Sequence, residues 1–281
     1  MPELPEVEIT ARLLDQALAA AEIESAFAPG INALKTVDPP LSELAGRRIE
    51  RVRRRGKHLI VEVSGGLALL IHLMSAGRLQ LYDKRAGPRD RTSRLLVRLG
   101  DGRELRLREF GSKQAAWVKL LRADELEHDP ALATLGPEAW PGPLPLEQLL
   151  DAPRPLHSLL RDQHTIAGIG RSWVDEILWS AMLSPFKRGE DVDEEERERL
   201  ADAIAATIER ALAHYEQAVG LPIPDKLPMP LQVHRHEGQR CPRCASTLKS
   251  VHFEDYVIAY CPACQTEGRA LKDRRLSRLL R

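Results

Sequence analysis

The sequence predicts an α+β protein in which a β-rich N-terminal domain with a helix at its start precedes a helical domain that carries a four-cysteine ribbon. Three observations lead to this fold class. Short strand-like runs fill positions 49–118, a helical period returns over positions 156–215, and all four cysteines stand in two closely spaced pairs near the end. At 281 residues the chain is long enough for two domains with separate cores.

The N-terminal domain, residues 1–129, is predicted to be of β-sandwich type. After Glu6 the apolar residues recur at helical spacing, which indicates an amphipathic first helix. Strand-like runs follow at 59–63, 67–73, 95–99 and 104–107. The pairs Gly65-Gly66, Asp83-Lys84 and Asp101-Gly102 punctuate these runs as turns.

A proline-rich stretch, residues 130–149, is predicted to link this domain to a helical one at 150–230. The helical period predicts helices over 156–162, 172–182 and 194–215. Gly168-Ile169-Gly170 predicts a tight turn between the first two. The acidic start of the third helix complements its dipole.

The cysteines predict a zinc ribbon at 231–268, followed by a basic tail at 269–281. Cys241 and Cys244 form one pair and Cys261 and Cys264 the other, and each pair has the spacing that lets two thiolates reach one ion. Four sulfurs close a tetrahedral shell, so the expected Zn²⁺ is a single structural ion with no position left for water. Disulfides are the alternative, but they are rare in a reducing cytosol. Strand residues are expected on both sides of a turn near Glu254-Asp255, namely Val251, Phe253, Val257 and Tyr260.

The composition excludes a membrane protein and indicates where phosphate could bind. The formal net charge is zero, but basic residues cluster at 47–57 and in the tail, and acidic residues cluster at 190–198. Such basic patches can bind phosphate, although a solvated charged face is the commoner meaning. Because there is no bilayer-length apolar run and no signal-peptide pattern, we expect a cytoplasmic protein.

The N-terminal hexapeptide Met-Pro-Glu-Leu-Pro-Glu has two interpretations. Removal of the methionine would leave Pro2 as a secondary amine, with Glu3 beside it and Glu6 one helical turn on. An α-amino group has a pKa near ~8, against ~10.4 for lysine, so more of it is nucleophilic at neutral pH. Such an amine can form a Schiff base with a sugar or carbonyl carbon. Alternatively, Pro2 merely starts a helix, where its missing N–H costs nothing.

The glycine turn also has two interpretations. Gly168 and Gly170 would let backbone N–H groups approach a phosphate closely, and the start of the following helix favours an anion. Ordinary helix hairpins have the same pattern, so the turn alone does not decide between them.

Taken together and in this order, the motifs resemble the formamidopyrimidine-DNA glycosylase/endonuclease VIII family of DNA repair enzymes. The resemblance covers nearly the whole chain. It rests on MPELPEVE at the start, RRRGKHLI around Lys57, LGPE at 135–138, GIGRSWVDEIL at 168–178, and LQVHRHEGQRCPRC leading into the ribbon.

The resemblance implies a helix-two-turn-helix DNA-binding domain and a bifunctional glycosylase and AP lyase of base excision repair. By this resemblance we expect a cytoplasmic, nucleoid-associated bacterial monomer that acts on damaged double-stranded DNA. Pro2 would attack C1′ of an oxidised or ring-opened nucleotide and form a Schiff base, Glu3 would handle protons at the sugar, and Lys57 would lie near the lesion and its phosphates. Glu6 either orients Glu3 or the amine, or is a first-turn helix acid. The implied DNA contacts come from Met74, Arg108, Phe110, Gly168, Gly170, Arg171 and Tyr256.

The chain departs from the family pattern at several of these contacts. Glu109 puts a negative charge between Arg108 and Phe110, where the family has a second arginine. Met74 aligns one residue early as the wedge methionine, with Ser75 at the aligned position, and the alternative is that Met74 is an ordinary core residue. Arg171 replaces an asparagine that binds phosphate. Tyr256 replaces the ribbon arginine, and Arg243, Lys249 or the tail are candidates to supply its charge.

Two further features of the resemblance bear on function. Glu176 matches a family glutamate but could equally be structural. Residues 220–230 are short and proline-rich where enzymes specific for 8-oxoguanine have a longer loop, which favours oxidised pyrimidines, opened bases or abasic sites as substrates. The alternative to an enzyme is a catalytically weak protein that binds lesions or DNA structures.

Overall fold

The computed structural model describes residues 1–30, 32–87, 90–110, 114–253 and 256–271. Gly111, the predicted turn residues Glu254 and Asp255, and the basic tail from Lys272 onward lie outside the described residues. The chain separates into two compact units. One comprises Met1–Thr134 and Leu212–Pro228, here the β-rich unit, and the other Leu135–Ala211 and Met229–Arg281, here the helical unit.

The β-rich unit contains a long first helix and two four-stranded sheets, which confirms the predicted fold class. The helix α1 spans Leu4–Leu18 and contacts β2. One sheet has the strand order β1-β6-β7-β5 and the other β2-β3-β4-β8, and every pairing is antiparallel. The strands are β1 Ile23–Phe27, β2 Ile49–Arg55, β3 His58–Val63, β4 Leu67–His72, β5 Gly77–Tyr82, β6 Ser93–Leu99, β7 Glu104–Glu109 and β8 Trp117–Arg122.

The helix α1 begins earlier than the apolar period alone predicts. It starts at Leu4 with Glu3 as its N-cap, because Pro5 fits the first turn, where its missing N–H leaves no bond unmade. The strand β1 lies outside the region 49–118 that the sequence predicts to be strand-like, and β2, β5 and β8 match none of the individual runs named there, since none of them shows a long apolar run. Leu4, Val7 and Leu14 of α1 are fully buried, as are Leu59 and Leu70 of the second sheet.

The proline-rich stretch is packed rather than extended. It contains two short helices, α2 at Pro130–Ala133 and α3 at Leu146–Leu150, and buries Leu132, Ala139 and Leu146. The boundary between the two compact units falls after Thr134, and Leu212–Pro228 also belongs to the β-rich unit. The domain boundaries drawn from the sequence therefore remain a prediction.

The helical unit contains the helices and the hairpin that the sequence predicts. They are α4 Leu156–Arg161, α5 Arg171–Ser180, the long α6 Glu194–Ala218, β9 Lys249–His252 and β10 Val257–Tyr260. A short helix that the sequence does not predict, α7, spans Pro262–Gln265. The part of α6 from Leu212 onward is assigned to the β-rich unit. The strands β9 and β10 pair antiparallel, and Phe253 lies just beyond β9 rather than inside it. Within the described ranges, no helix has the length and hydropathy for a bilayer span.

Candidate active site and DNA-binding surfaces

The N-terminal hexapeptide forms the beginning of α1. Pro2 precedes the Glu3 N-cap and is partly exposed, whereas Glu3 and Glu6 are only 2% and 4% exposed. Glu6 Oε2 accepts a hydrogen bond from the Glu3 backbone N–H at 2.9 Å, which forms part of a capping box. The structure thus brings Pro2, Glu3 and Glu6 together at one helix end.

Tyr215 of α6 binds the other oxygen of the Glu6 carboxylate. Its hydroxyl donates to Glu6 Oε1 at 2.6 Å, and its side chain is completely buried. Burial, together with the neighbouring Glu6 carboxylate, raises the pKa of Tyr215 above its ordinary value, so the hydroxyl remains a donor. Both interpretations of Glu6 fit this geometry, since the carboxylate caps the helix and also orients the Glu3 backbone. Sequence reasoning missed Tyr215 because the contact joins residues 209 positions apart.

Lys57 lies in the tight turn between β2 and β3 and is only 6% exposed. The strands flanking this region contribute a cluster of His58, His72 and Trp117, whose ring centroids are 4.7–5.7 Å apart. Burial lowers the pKa of His58 to about 4 and, helped by the charges of His58 and Lys57, the pKa of His72 to about 3. Lys57 therefore lies next to two imidazoles that are neutral at pH 7.

Two of the three predicted wedge residues are in direct contact. The Arg108 guanidinium lies 4.6 Å from the centroid of the Phe110 ring and donates to Tyr82 Oη at 2.6 Å and Thr92 Oγ1 at 3.0 Å. Met74 lies in the turn after β4 with φ +50° and donates its backbone N–H to His72 Nδ1 at 3.1 Å. Both Met74 and Phe110 are half-buried, so neither is a simple core residue.

Glu109 does not present its charge to solvent. It is 2% exposed, and its Oε1 accepts hydrogen bonds from the backbone N–H groups of Ala115 at 2.7 Å and Ala116 at 3.0 Å. The negative charge at position 109 is therefore buried rather than exposed. The alternation of a strand turns the side chain at position 109 to the face opposite Arg108 and Phe110. The carboxylate instead ties the end of β7 to the start of β8.

The short segment at 220–230 is tied to strand β5. The Gln80 amide donates to the Ile223 carbonyl at 2.6 Å and to Asp225 Oδ1 at 3.0 Å. Arg78 Nε donates to the Asp225 carbonyl at 2.5 Å. The first part of this segment is thus an anchored strap on the β-rich unit, and its residues Gly220, Leu221 and Pro222 are exposed.

In the helical unit, the glycine turn joins α4 to α5 as predicted. Gly168 adopts φ +106°, a conformation that favours glycine, and Gly170 is the N-cap of α5. Gln163, which sequence reasoning missed, braces the turn by accepting from the Gly168 N–H at 3.0 Å and donating to the Ile169 carbonyl at 2.7 Å. Arg171 is the first residue of α5.

Glu176 has a structural role. It is 3% exposed, and its carboxylate accepts hydrogen bonds from the backbone N–H groups of Gln232, Val233 and His234 at 2.8–2.9 Å. Burial raises its pKa against the effect of these bonds. Glu176 therefore ties α5 to the segment that leads into the ribbon.

The four cysteines form a tetrathiolate site. Their sulfur atoms all lie within 4.8 Å of one another, and three pairs are 3.4–3.9 Å apart. A zinc tetrahedron with Zn–S bonds of about 2.3 Å has edges near 3.8 Å, so this donor set fits one closed, structural zinc ion. The Trp179 indole N–H donates to Cys241 Sγ at 3.3 Å, which orients this ligand from α5. The predicted zinc ribbon is confirmed.

Tyr256 precedes β10 and is half-buried. Its ring stacks on Phe253, with centroids 4.6 Å apart, and on His157 of α4, with centroids 5.7 Å apart. The ribbon thus presents an aromatic stack to the helical hairpin at the position where an arginine is expected.

Comparison with known proteins gives two family models. Residues 1–112 match the formamidopyrimidine-DNA glycosylase N-terminal domain, and residues 138–221 match the formamidopyrimidine-DNA glycosylase H2TH domain. A formamidopyrimidine-DNA glycosylase of Moorella thermoacetica is 32% identical over 274 residues, covering 89% of this chain and 94% of the relative. One from Roseiflexus sp. is 31% identical and covers 94% of this chain and all of the relative.

Solved structures give the same result. A Lactococcus lactis Fpg in complex with DNA containing N7-benzyl-Fapy-dG has a TM-score of 0.83 and 26% identity, covering 94% of this chain and 100% of that chain. A MutM in complex with DNA containing carbocyclic 8-oxo-G has a TM-score of 0.83 and 27% identity, with the same coverage.

Proposed function

The chain belongs to the formamidopyrimidine-DNA glycosylase family, and from that membership we propose that it excises oxidised bases from double-stranded DNA and cleaves the strand with Pro2 as its nucleophile. The enzyme class follows from the family, and the assignment of individual residues is our proposal. The observation that carries it is the N-terminal geometry, in which Glu6 joins the Glu3 backbone to Tyr215.

The proposed reaction uses the chain's own amine and carboxylate. The Pro2 nitrogen attacks C1′ of the damaged nucleotide, and the bond from C1′ to the base breaks as the base leaves with a proton. The sugar ring opens to give the Schiff base. The positive imine acidifies the hydrogen at C2′, and Glu3 removes it. The electrons of the C2′–H bond expel the 3′-phosphate as the C3′–O bond breaks, and loss of the hydrogen at C4′ then expels the 5′-phosphate as the C5′–O bond breaks.

Burial of the carboxylates supports these roles. Because Glu3 and Glu6 are almost inaccessible to water, their electrostatic effect on a cation at Pro2 is stronger than at an open surface. Tyr215 and the Glu3 N–H both donate to Glu6, so Glu6 is fixed as a hydrogen-bond acceptor. Glu6 is therefore proposed as a positioning residue and Glu3 as the proton-transfer residue.

The DNA contacts are proposed separately for each unit. In the β-rich unit, Lys57 contacts the lesion and its phosphates. The gap left by the extruded nucleotide is filled by Met74, Arg108 and Phe110. In the helical unit, Gly168, Gly170 and Arg171 bind the backbone, supported by the helix start of α5. The zinc ribbon carries Tyr256 and orders the surface around it. A DNA substrate would bring the protein to the nucleoid.

The proposed lesion class rests on the strap, which is formed by the first part of the segment 220–230. Since Gln80 and Arg78 hold it on the sheet, its movement over an extruded base would break at least three hydrogen bonds. This supports a preference for oxidised pyrimidines, opened bases or abasic sites over 8-oxoguanine. Cleavage rates on duplexes carrying each lesion test this preference.

Borohydride trapping tests the enzymatic proposal. The wild-type protein, with removal of Met1 verified by intact mass, should form a covalent adduct with an abasic-site duplex. Pro2→Gly should lose most of this adduct because the secondary amine is gone. Pro5→Ala is the matched control, since it changes the other proline of the hexapeptide and leaves the amine in place.

The result that overturns the proposal is equally specific. If the wild-type protein gives no adduct on oxidised purine, oxidised pyrimidine or abasic duplexes but still binds them, the alternative of a catalytically weak lesion-binding protein holds.

A further inference from the structure

Two arginines of the helical hairpin converge on Tyr256. The guanidinium carbon of Arg161, the last residue of α4, lies 4.1 Å from the centroid of the Tyr256 ring. The guanidinium carbon of Arg171, the first residue of α5, lies 5.4 Å from the same centroid. Phe253 and His157 are within 6° of parallel to this ring, so the ring is fixed by stacking.

Arg161 lacks a compensating anion in the described part of the chain. No described carboxylate lies within 4.0 Å of its guanidinium, and its buried Nη1 has no hydrogen-bond partner among the described residues. A buried donor of this kind costs free energy until an acceptor reaches it. An anion brought to this ring would give Arg161 the counter-charge that it lacks within the described residues.

The other candidate for the ribbon charge is already engaged. Arg243 donates to the carbonyls of Trp179 at 2.8 Å and Ser180 at 3.3 Å, and its guanidinium lies 4.4 Å from the centroid of the Trp179 ring. Arg243 therefore binds carbonyl groups at the C-terminal end of α5, where a cation complements the helix dipole. Arg161 and Arg171 instead lie at the two helix ends that the glycine turn connects.

We propose that Arg161 and Arg171, held on the Tyr256 ring, form a backbone-phosphate clamp that supplies the positive charge absent from position 256. Guanidinium groups bind phosphate through two parallel N–H bonds, and an aromatic face supports the planar group without neutralising it. Arg171 is the first residue of α5, and the positive end of the α5 dipole also favours an anion. Tyr256 is thus a platform for two cations rather than a lost phosphate contact. The clamp rests on the proposed function, because its ligand is the phosphodiester of a bound duplex.

The salt dependence of duplex binding tests the clamp. The probe is a duplex with a tetrahydrofuran abasic analogue, which lacks the C1′ leaving group and reports binding alone. Each lost phosphate contact should reduce the slope of log K against log salt by about 0.9. Arg161→Gln and Arg171→Gln should each show this reduction, while Arg161→Lys keeps the charge and should keep the slope.

The matched control is Arg197→Gln. Arg197 lies on α6, and its guanidinium is paired with Glu194 at 2.8 Å, so its loss should leave the slope unchanged. Zinc content and thermal unfolding establish that each variant is folded, and the two glutamine variants are independent readouts of the same clamp.

The outcomes separate the clamp from the enzymatic proposal. If folded Arg161→Gln and Arg171→Gln keep the wild-type slope while the wild-type protein is trapped by borohydride, the clamp is wrong and the enzyme stands. If the wild-type protein is not trapped but the slopes fall as expected, the clamp stands and the enzymatic proposal fails.

Discussion

Replacement of Tyr215 by phenylalanine removes a single hydroxyl from the support of the proposed active site. That hydroxyl donates to Glu6 Oε1 at 2.6 Å inside the core of the β-rich unit, where Tyr215 is fully buried. Phenylalanine fills nearly the same volume, so the change leaves no large cavity. The Glu6 carboxylate retains the Glu3 N–H at 2.9 Å.

The expected cost follows from the kind of bond lost. A hydrogen bond to a charged group contributes about 1.5–3 kcal/mol, and the oxygen left behind is buried and unsolvated. For a unit of this size, about 2 kcal/mol lowers Tm by roughly 4–8 °C. A loosened Glu6 also frees the Glu3 backbone, and a shift of about 1 Å at a reacting group can cost as much as about 100-fold in rate. We expect borohydride trapping to slow by about 10- to 100-fold.

Thermal unfolding and trapping rates are measured on Tyr215→Phe and on Tyr256→Phe as the matched control. The Tyr256 hydroxyl has no hydrogen bond within the described residues, so its removal should shift Tm by less than about 1 °C, in line with other neutral surface changes. An unchanged Tm for Tyr215→Phe would refute the hydrogen bond. A lowered Tm with a wild-type trapping rate would refute the positioning role of Glu6 and leave it a helix-capping acid.

Two further predictions concern buried groups of the same unit. Glu109→Arg introduces the family residue and should lower the free energy of unfolding in urea by about 3–5 kcal/mol, because Ala115 and Ala116 lose their acceptor and a cation is buried. Glu109→Gln should cost less. Tighter DNA binding by a stable arginine variant would contradict the inward orientation of Glu109. The second prediction concerns pH. Burial holds the pKa of His58 at about 4 and that of His72 at about 3, below the unfolded value of about 6.5. The stability that depends on these histidines should therefore be full above about pH 6.5 and should fall as the pH drops from there towards the folded pKa values, because the unfolded chain binds protons first. His58→Phe should flatten this fall in urea midpoints between pH 7 and pH 4, and an identical pH profile would rule out the assigned shift.

Much of this fold can be predicted from the sequence because the features concerned depend on residues that are close together in the chain. The cysteine spacing predicts the ribbon, since ligands two residues apart can bind one ion wherever the module lies. The helical periods predict α4, α5 and most of α6, since burial of one face imposes its spacing on the residues. The glycine turn follows from Gly168, whose positive φ is unfavourable for other residues. The strand β1 escapes prediction, and β2, β5 and β8 are not resolved as individual strands, because their apolar runs are too short to stand out.

The candidate site likewise has a part that the sequence predicts and a part that only the structure shows. Pro2, Glu3 and Glu6 are recognisable in the sequence because the hexapeptide is contiguous, and Lys57 because it stands in RRRGKHLI, one of the motifs that carry the family resemblance. Tyr215 is not recognisable, because its partner lies 209 positions away and nothing local to position 215 marks the contact. Gln163 and Arg161 also carry no signal, since their roles depend on what packs against the hairpin.

The sequence by itself determined the order of most elements and the metal centre, because spacing along the chain decides both. Its motifs, through the family that they resemble, also indicated the nucleophile to test. Only the tertiary structure decided the direction of the charged side chains. It turned Glu109 inward to two backbone N–H groups, and it placed Arg161 and Arg171 on the Tyr256 ring. A charge acts over a few ångströms, and the neighbours within that distance are set by packing between distant segments rather than by sequence adjacency.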